Sequence, residues 1–390
     1  MLSRRLFLKS TALIGCSAAA HPLLSTVSFA SAPGENRLVV IILRGAMDGL
    51  DVLQPYGDPA LRGLRPGLST GPADGATDLD GFYALHPGLG ALYPLWQAGQ
   101  LGFVPAVSTP YRDKRSHFDG QDLLESGTGH DLPVRMQQGG WLNRLLQDMP
   151  DAVSQTAYSV GVEDMLILAG QAQARSWAPD AQLRMSPQAQ MLLDHVYHDD
   201  PLFRDAASLA GEIAAERMDG GRRGGGATAG ALGRFAASRL NEATRIASFS
   251  IGGWDSHANQ PQVIGRALQR LSDAILALRE GLGGNWDRTT VLAMTEFGRT
   301  ARQNGSGGTD HGTGGAMLMA GGAIRGGRVI GDWPGLGEGD LYAGRDLMPT
   351  RDVRAYAAWA MRGLFGTERN ALEQSIFPGL DMGDDPGMLA

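Results

Sequence analysis

The sequence predicts an α/β fold: a largely parallel central sheet with helices on both faces and a helical insertion. Three observations lead there. Short β-rich apolar runs recur along the chain, amphipathic segments lie between them, and residues 163–243 interrupt the alternation. Apolar runs bounded by polar residues suit strands buried on both faces. Strands separated by helices pair parallel, because the crossover returns the chain to the same edge. A chain of 390 residues, 43% hydrophobic and 19% charged, can bury the core that such a sandwich needs.

The N-terminus, "MLSRRLFLKSTALIGCSAAAHPLLSTVSFASAP", is set apart from the fold. Arg4-Arg5 within S-R-R-x-F-L-K, a weakly apolar stretch and the small-x-small pattern Ser28-Phe29-Ala30 predict a twin-arginine export signal over residues 1–30. "LIGC" at residues 13–16 offers an alternative, a lipoprotein processing box that would lipidate Cys16. Cleavage after Ala30 removes the only cysteine, so the mature chain has neither disulfides nor thiol chemistry. It also removes Arg4, Arg5 and Lys9, and the formal charge moves from −7 to −10. No basic stripe remains to suggest nucleic acid. No apolar run of about 20 residues follows to suggest a membrane span. The expected product is periplasmic or secreted, delivered by the twin-arginine machinery, and a single domain over residues 31–390.

Taken in order, the buried-strand runs are "RLVVIIL" (37–43), "QLGFVPAV" (100–107), "AYSVGV" (157–162), "RIASFSIG" (245–252), "RTTVLAMT" (288–295) and "GAMLMAGG" (315–322). The helices are "HPGLGALYPLWQAG" (86–99), ending at a glycine C-cap; "PQVIGRALQRLSDAILALREGLG" (261–283), with Pro in its first turn and Gly at its end; and "TRDVRAYAAWAMRGLFG" (350–366). Residues 163–243 read as the helical insertion, and "DGGRRGGGATAG" at 219–230 is a glycine-rich break within it.

In open parallel sheets ligands bind beyond the carboxyl ends of the strands. After the first strand comes "RGAMDGLD", where Asp48 is either a metal ligand or a helix N-cap. "KRSHFDGQD" offers Ser116, His117 and Asp119; a hydroxyl beside an imidazole suggests a nucleophile, and Ser116 equally suits a helix cap. "GGWDSH" brings Asp255 and His257 two apart, on one side of an extended segment, a pairing suited to a cation. "TEFGRT" puts Glu296 and Arg299 at a strand end, and "GGTDHGTGG" puts Asp310 and His311 just ahead of the last strand. Mixed oxygen and imidazole donors suit Zn, Mn, Fe or Ca. Arg44, Arg115 and Arg299 lie close to these motifs and could bind an anion through their forked donors. Of the other histidines, His86 reads as a cap, His130 as a loop residue, and His195 and His198 as part of a solvated helix face.

The series "RGAMDGLD", "RSHFDGQD", "GGWDSHANQ", "TEFGRT" and "GGTDHGTGG" resembles the twin-arginine-exported domain-of-unknown-function family 1501 of the alkaline-phosphatase-like superfamily, along nearly the whole mature chain. The resemblance implies an alkaline-phosphatase-like sandwich and a sulfatase-like, metal-dependent hydrolase of a phosphate or sulfate ester, carried on a small molecule or a polymer. It implies one or two divalent metals, with Asp48, Asp255, His257 and His311 as ligands and Asp310 beside them. Ser116, or less directly His117, would supply the nucleophile, with Glu296 and Arg299 in support. Two departures stand out. One residue separates Asp255 from His257 where the superfamily has three, and Glu296 stands where it has an aspartate followed by a histidine. A non-catalytic binding or assembly protein on the same scaffold is the other reading of these departures.

Overall fold

The central strand, Arg37–Arg44, is buried almost throughout, and the alternation of its side chains organises the protein. Val39, Ile41 and Leu43 enter one hydrophobic core, while Leu38, Val40 and Ile42 enter a second. Successive side chains on a strand point to opposite faces, so two cores on one strand mean a sheet covered on both sides. The computed structural model describes residues 27–31, 34–68, 70–112, 114–129, 139–149, 165–172, 174–177 and 229–390.

The main sheet has nine strands: β1 (Val27–Ser31), β2 (Arg37–Arg44), β3 (Leu101–Ser108), β4 (Arg175–Trp177), β5 (Thr244–Gly252), β6 (Thr289–Thr295), β7 (Gly315–Ala320), β8 (Arg328–Val329) and β9 (Arg351–Asp352). Their order is β8-β3-β7-β6-β2-β5-β1-β4, with β9 also on β3. β2 lies parallel to both β5 and β6. β7 is antiparallel to β6 and β3, and β1 is antiparallel to β5 and β4. β8 and β9 run parallel to β3. The sheet is therefore largely parallel, with β1 and β7 opposed to the other seven strands. β1 spans the expected cleavage position after Ala30.

Five of the six expected strands form where the apolar runs lie; "AYSVGV" falls outside the described residues. The expected first helix begins as a 3-10 turn, Pro87–Leu92, before α1 (Tyr93–Gln97). His86 caps that turn, its Nδ1 accepting from the Gly88 amide at 2.9 Å. α2 (His117–Ser126) follows β3, and α3 (Trp141–Asp148) packs in the second core. α4 (Ala229–Leu240) closes the stretch expected to be an insertion, and it packs in the first core. Its partner is α5 (Gln260–Leu282), which buries Ile264, Ala267, Leu268, Leu271, Ala274, Ile275 and Leu278 at helical spacing and ends at Gly283. Each leucine or isoleucine among them contributes about 1.5–3 kcal/mol through burial, so a charge at Leu268 or Leu271 would detach this face. α6 (Val353–Phe365) covers the opposite face. Among the described residues no helix is long and apolar enough to cross a membrane. His130, His195 and His198 lie outside the described residues.

Candidate metal centre

Strand direction explains how distant motifs meet. β7 runs against its neighbours, so the turn that precedes it lies at the same edge as the turns that follow β2, β3, β5 and β6. His311, ahead of β7, thereby joins Asp255 and His257, which follow β5, Glu296 and Arg299, which follow β6, and His117 at the start of α2.

Asp255 is at the centre. Its Oδ1 lies 3.2 Å from His257 Nε2 and 3.6 Å from His311 Nε2, and its Oδ2 lies 3.6 Å from His117 Nε2. The Nε2 atoms of His257 and His311 are 2.9 Å apart. One ligand atom each from His117, Asp255 and His311 falls within a 4.8 Å cluster. The Nδ1 atoms all face away, towards acceptors: Glu296 Oε1 at 2.8 Å for His117, Asp310 Oδ1 at 3.1 Å for His257, and the Arg115 carbonyl at 2.9 Å for His311. A nitrogen facing an acceptor carries the proton, so in its neutral form each ring would turn an Nε2 lone pair inwards. His117 Nε2 is buried without a hydrogen-bond partner. His257 is not within that cluster, but its Nε2 adjoins those of its members Asp255 and His311, and lone pairs this close repel each other unless a proton or a cation stands between them. An outward Nδ1–H on a carboxylate or carbonyl and an inward Nε2 is the arrangement that fixes histidine ligands on a metal.

The supporting groups are dry. Glu296 is fully buried, and its Oε1 also accepts from the Gly45 amide and Gln121 Nε2. Arg299 donates to Asp255 Oδ1 at 2.7 Å and to the carbonyls of Gly45, Ala46 and Thr309. Arg44 is engaged by Gln121 and Glu125. Two of the three arginines considered for an anion are thus spent on the frame, and the third, Arg115, is exposed. Ala46 and Arg115 adopt left-handed φ angles of 57° and 56°, uncommon for side chains with a Cβ. Their carbonyls are the ones that accept from Arg299 and His311.

The glycines of "GGTDHGTGG" allow contact between loops. A Cβ on Gly308 would stand 2.2 Å from the Ser256 carbonyl oxygen, and one on Gly312 would stand 2.4 Å from the Arg299 carbonyl carbon. The histidine turns can close on each other only because those positions are bare.

Proton affinity follows the geometry. The Asp255 carboxylate, and then that of Glu296, push His117 up to about 9. His117 and His311, then Arg299, hold the Asp255 carboxyl far below its usual range. Burial works to raise Glu296, but hydrogen bonds from His117, Gln121 and backbone amides outweigh it and keep the carboxyl below its ordinary value. Asn304, and then His257, lower Asp310.

A family model described as "Protein of unknown function (DUF1501)" matches residues 77–361. The chain belongs to that family. No curated protein and no solved structure matches the chain. The matched DUF1501 region contains His117, Asp255, His257, Glu296, Arg299, Asp310 and His311, and Asp48 lies ahead of it.

In this DUF1501 chain two expected site residues are engaged elsewhere. Asp48 is buried and caps a short helix, accepting from the Leu50 amide, and its Oδ2 meets Arg65 at 2.7 Å, Gln260 at 2.7 Å and Thr309 at 3.2 Å. Arg65 supplies there the positive charge that a second cation would bring. Ser116 caps α2, its Oγ facing the Asp119 amide at 3.4 Å. In both cases the capping alternative describes the contacts made. His117, weighed as a nucleophile, instead turns a nitrogen into the cluster. Gln121, Gln260, Asn304 and Arg65 were not singled out from the sequence. Gln121 alone carried a local signal: it lies four residues after His117, on the same helix face, and both bond Glu296.

Proposed function

We propose that the protein is an exported, metal-dependent hydrolase of a phosphate or sulfate ester, with one divalent cation held by His117, Asp255, His257 and His311. The observation that carries this reading is the set of three imidazoles with tethered Nδ1 atoms and Nε2 atoms directed at one carboxylate. Three imidazoles and one carboxylate suit Zn, Fe or Mn better than Ca, which prefers oxygen donors. Bound there, a cation supplies a Lewis acid that acidifies water and polarises an ester oxygen.

The residues of the chain do the rest. Glu296, Asp310 and the Arg115 carbonyl fix the tautomers, and Arg299 holds Asp255 in place through Oδ1 while Oδ2 remains available. Asp255 and His257 are about half exposed, which gives an ester access from that side. Water suits the nucleophile's role better than Ser116, whose hydroxyl faces its own helix. The twin-arginine signal supports export to the periplasm or beyond.

A second reading, a binding or assembly protein without turnover, is favoured by the internal engagement of Arg44 and Arg299. Elemental analysis of the purified mature protein tests the centre: one equivalent of metal is expected, lost in Asp255→Ala and in His311→Ala. Metal retained by both variants would refute the assignment. Phosphate and sulfate mono- and diesters then separate the readings, since metal without turnover would leave the binding protein.

A further inference from the structure

A cleft of about 460 Å³, a size ordinary for a small-molecule site, adjoins the loops that carry the proposed metal centre. Two of its lining residues belong to the centre's frame. Asp310 holds His257, and Arg345 donates to the His311 carbonyl at 3.0 Å. The cleft therefore backs on two of the histidine-bearing turns.

Its lining is unusual in carrying charge of both signs. Arg302 and Glu338 are exposed and make no side-chain hydrogen bond or ion pair among the described residues, and Asp310 accepts through Oδ1 only. Leu64, Leu336 and Leu341 supply its apolar wall, and Thr300, Gln303 and Asn304 add uncharged polar groups. Each class of occupant can be weighed against this surface. A purely apolar group would use only the leucines and leave the hydrogen-bonding capacity of Arg302, Glu338 and Asp310 unused. A second anionic group would meet two carboxylates, and a polycation would meet Arg302 and Arg345. A neutral group dense in hydroxyls satisfies both signs, because each hydroxyl donates and accepts, while its C–H face can lie on the leucines.

We infer that this cleft binds the hydroxyl-rich, uncharged part of the ester, a sugar or similar polyol, while the anionic group lies at the metal centre. The inference rests on the hydrolase reading and names the substrate class for it. Titration calorimetry with a hexose 6-phosphate and a hexose 6-sulfate, against phenyl phosphate and phenyl sulfate, tests it on zinc-loaded and metal-free protein. The hexose esters should bind at least tenfold more tightly than the phenyl esters. Arg302→Ala and Glu338→Ala, both surface changes, should each raise the hexose-ester Kd at least fivefold and leave the phenyl-ester Kd and the zinc content unchanged. Equal binding of the two classes, or hexose-ester binding insensitive to both variants, overturns the inference. Variant-sensitive hexose binding to a protein that takes up no zinc upholds the cleft and removes the metal centre. Zinc bound without any preference for hexose esters removes the cleft alone.

Discussion

Glu296→Gln isolates the feature on which the proposed metal centre depends. The Glu296 carboxylate accepts from His117 Nδ1 at 2.8 Å, from the Gly45 amide at 2.9 Å and from Gln121 at 3.2 Å, all on Oε1, while Oε2 faces the Thr295 hydroxyl at 2.9 Å. A glutamine fits this pattern: its carbonyl oxygen keeps the three donors, and its amide can donate to Thr295, whose hydroxyl rotates to accept. Shape and hydrogen-bond count survive, and the negative charge behind His117 is lost. Removing such a partner costs about 10- to 100-fold in metal affinity, equivalent to about 1.4–2.8 kcal/mol at 1.4 kcal/mol per factor of ten. Competition with a chelator of known affinity reads this directly, with circular dichroism to verify the fold. Zinc affinity unchanged in a folded Glu296→Gln protein would refute the claim that His117 is a ligand oriented by Glu296.

Asp48→Ala leaves the buried Arg65 without its carboxylate, so a loss of about 3–5 kcal/mol is expected in chemical denaturation. Metal stoichiometry should stay at one per chain; a fall to zero would restore Asp48 as a ligand. Ser116→Ala should cost about 1 kcal/mol as a lost helix cap and leave ester turnover within a few-fold, whereas a loss of several hundredfold would return Ser116 to the nucleophile's role. His117 gives a pH signature. Its folded-state pKa is raised from 6.5 to about 9, so its stabilisation of the metal-free protein is complete below pH 6.5 and disappears as pH rises through 9. At most about 3 kcal/mol is involved. Thermal melts from pH 6 to 10 should show that decline without metal and a flatter profile with zinc, which occupies the proton's place.

The sequence by itself determined five strands of the main sheet and the long helices, since an apolar run or a 3.6-residue period is a local signal that burial then rewards; the short strands of residues 27–31, 175–177, 328–329 and 351–352 carry no such run. It also marked the loops that matter, because Asp255, His257, Glu296, Arg299 and His311 all flank such runs. Which atoms those residues present was decided by tertiary structure. The antiparallel course of β7 carries His311 to the common edge, and pairing direction has no signature within the strand itself. Glu296 reaches His117 across 179 positions, and Gln260 reaches Asp48 across 212. Asp48 and Ser116 show the limit most plainly, since an acid or hydroxyl after a strand reads alike as ligand, nucleophile or cap. Only the partners folded against it, Arg65 and Gln260 for one and the Asp119 amide for the other, settle where its lone pairs go.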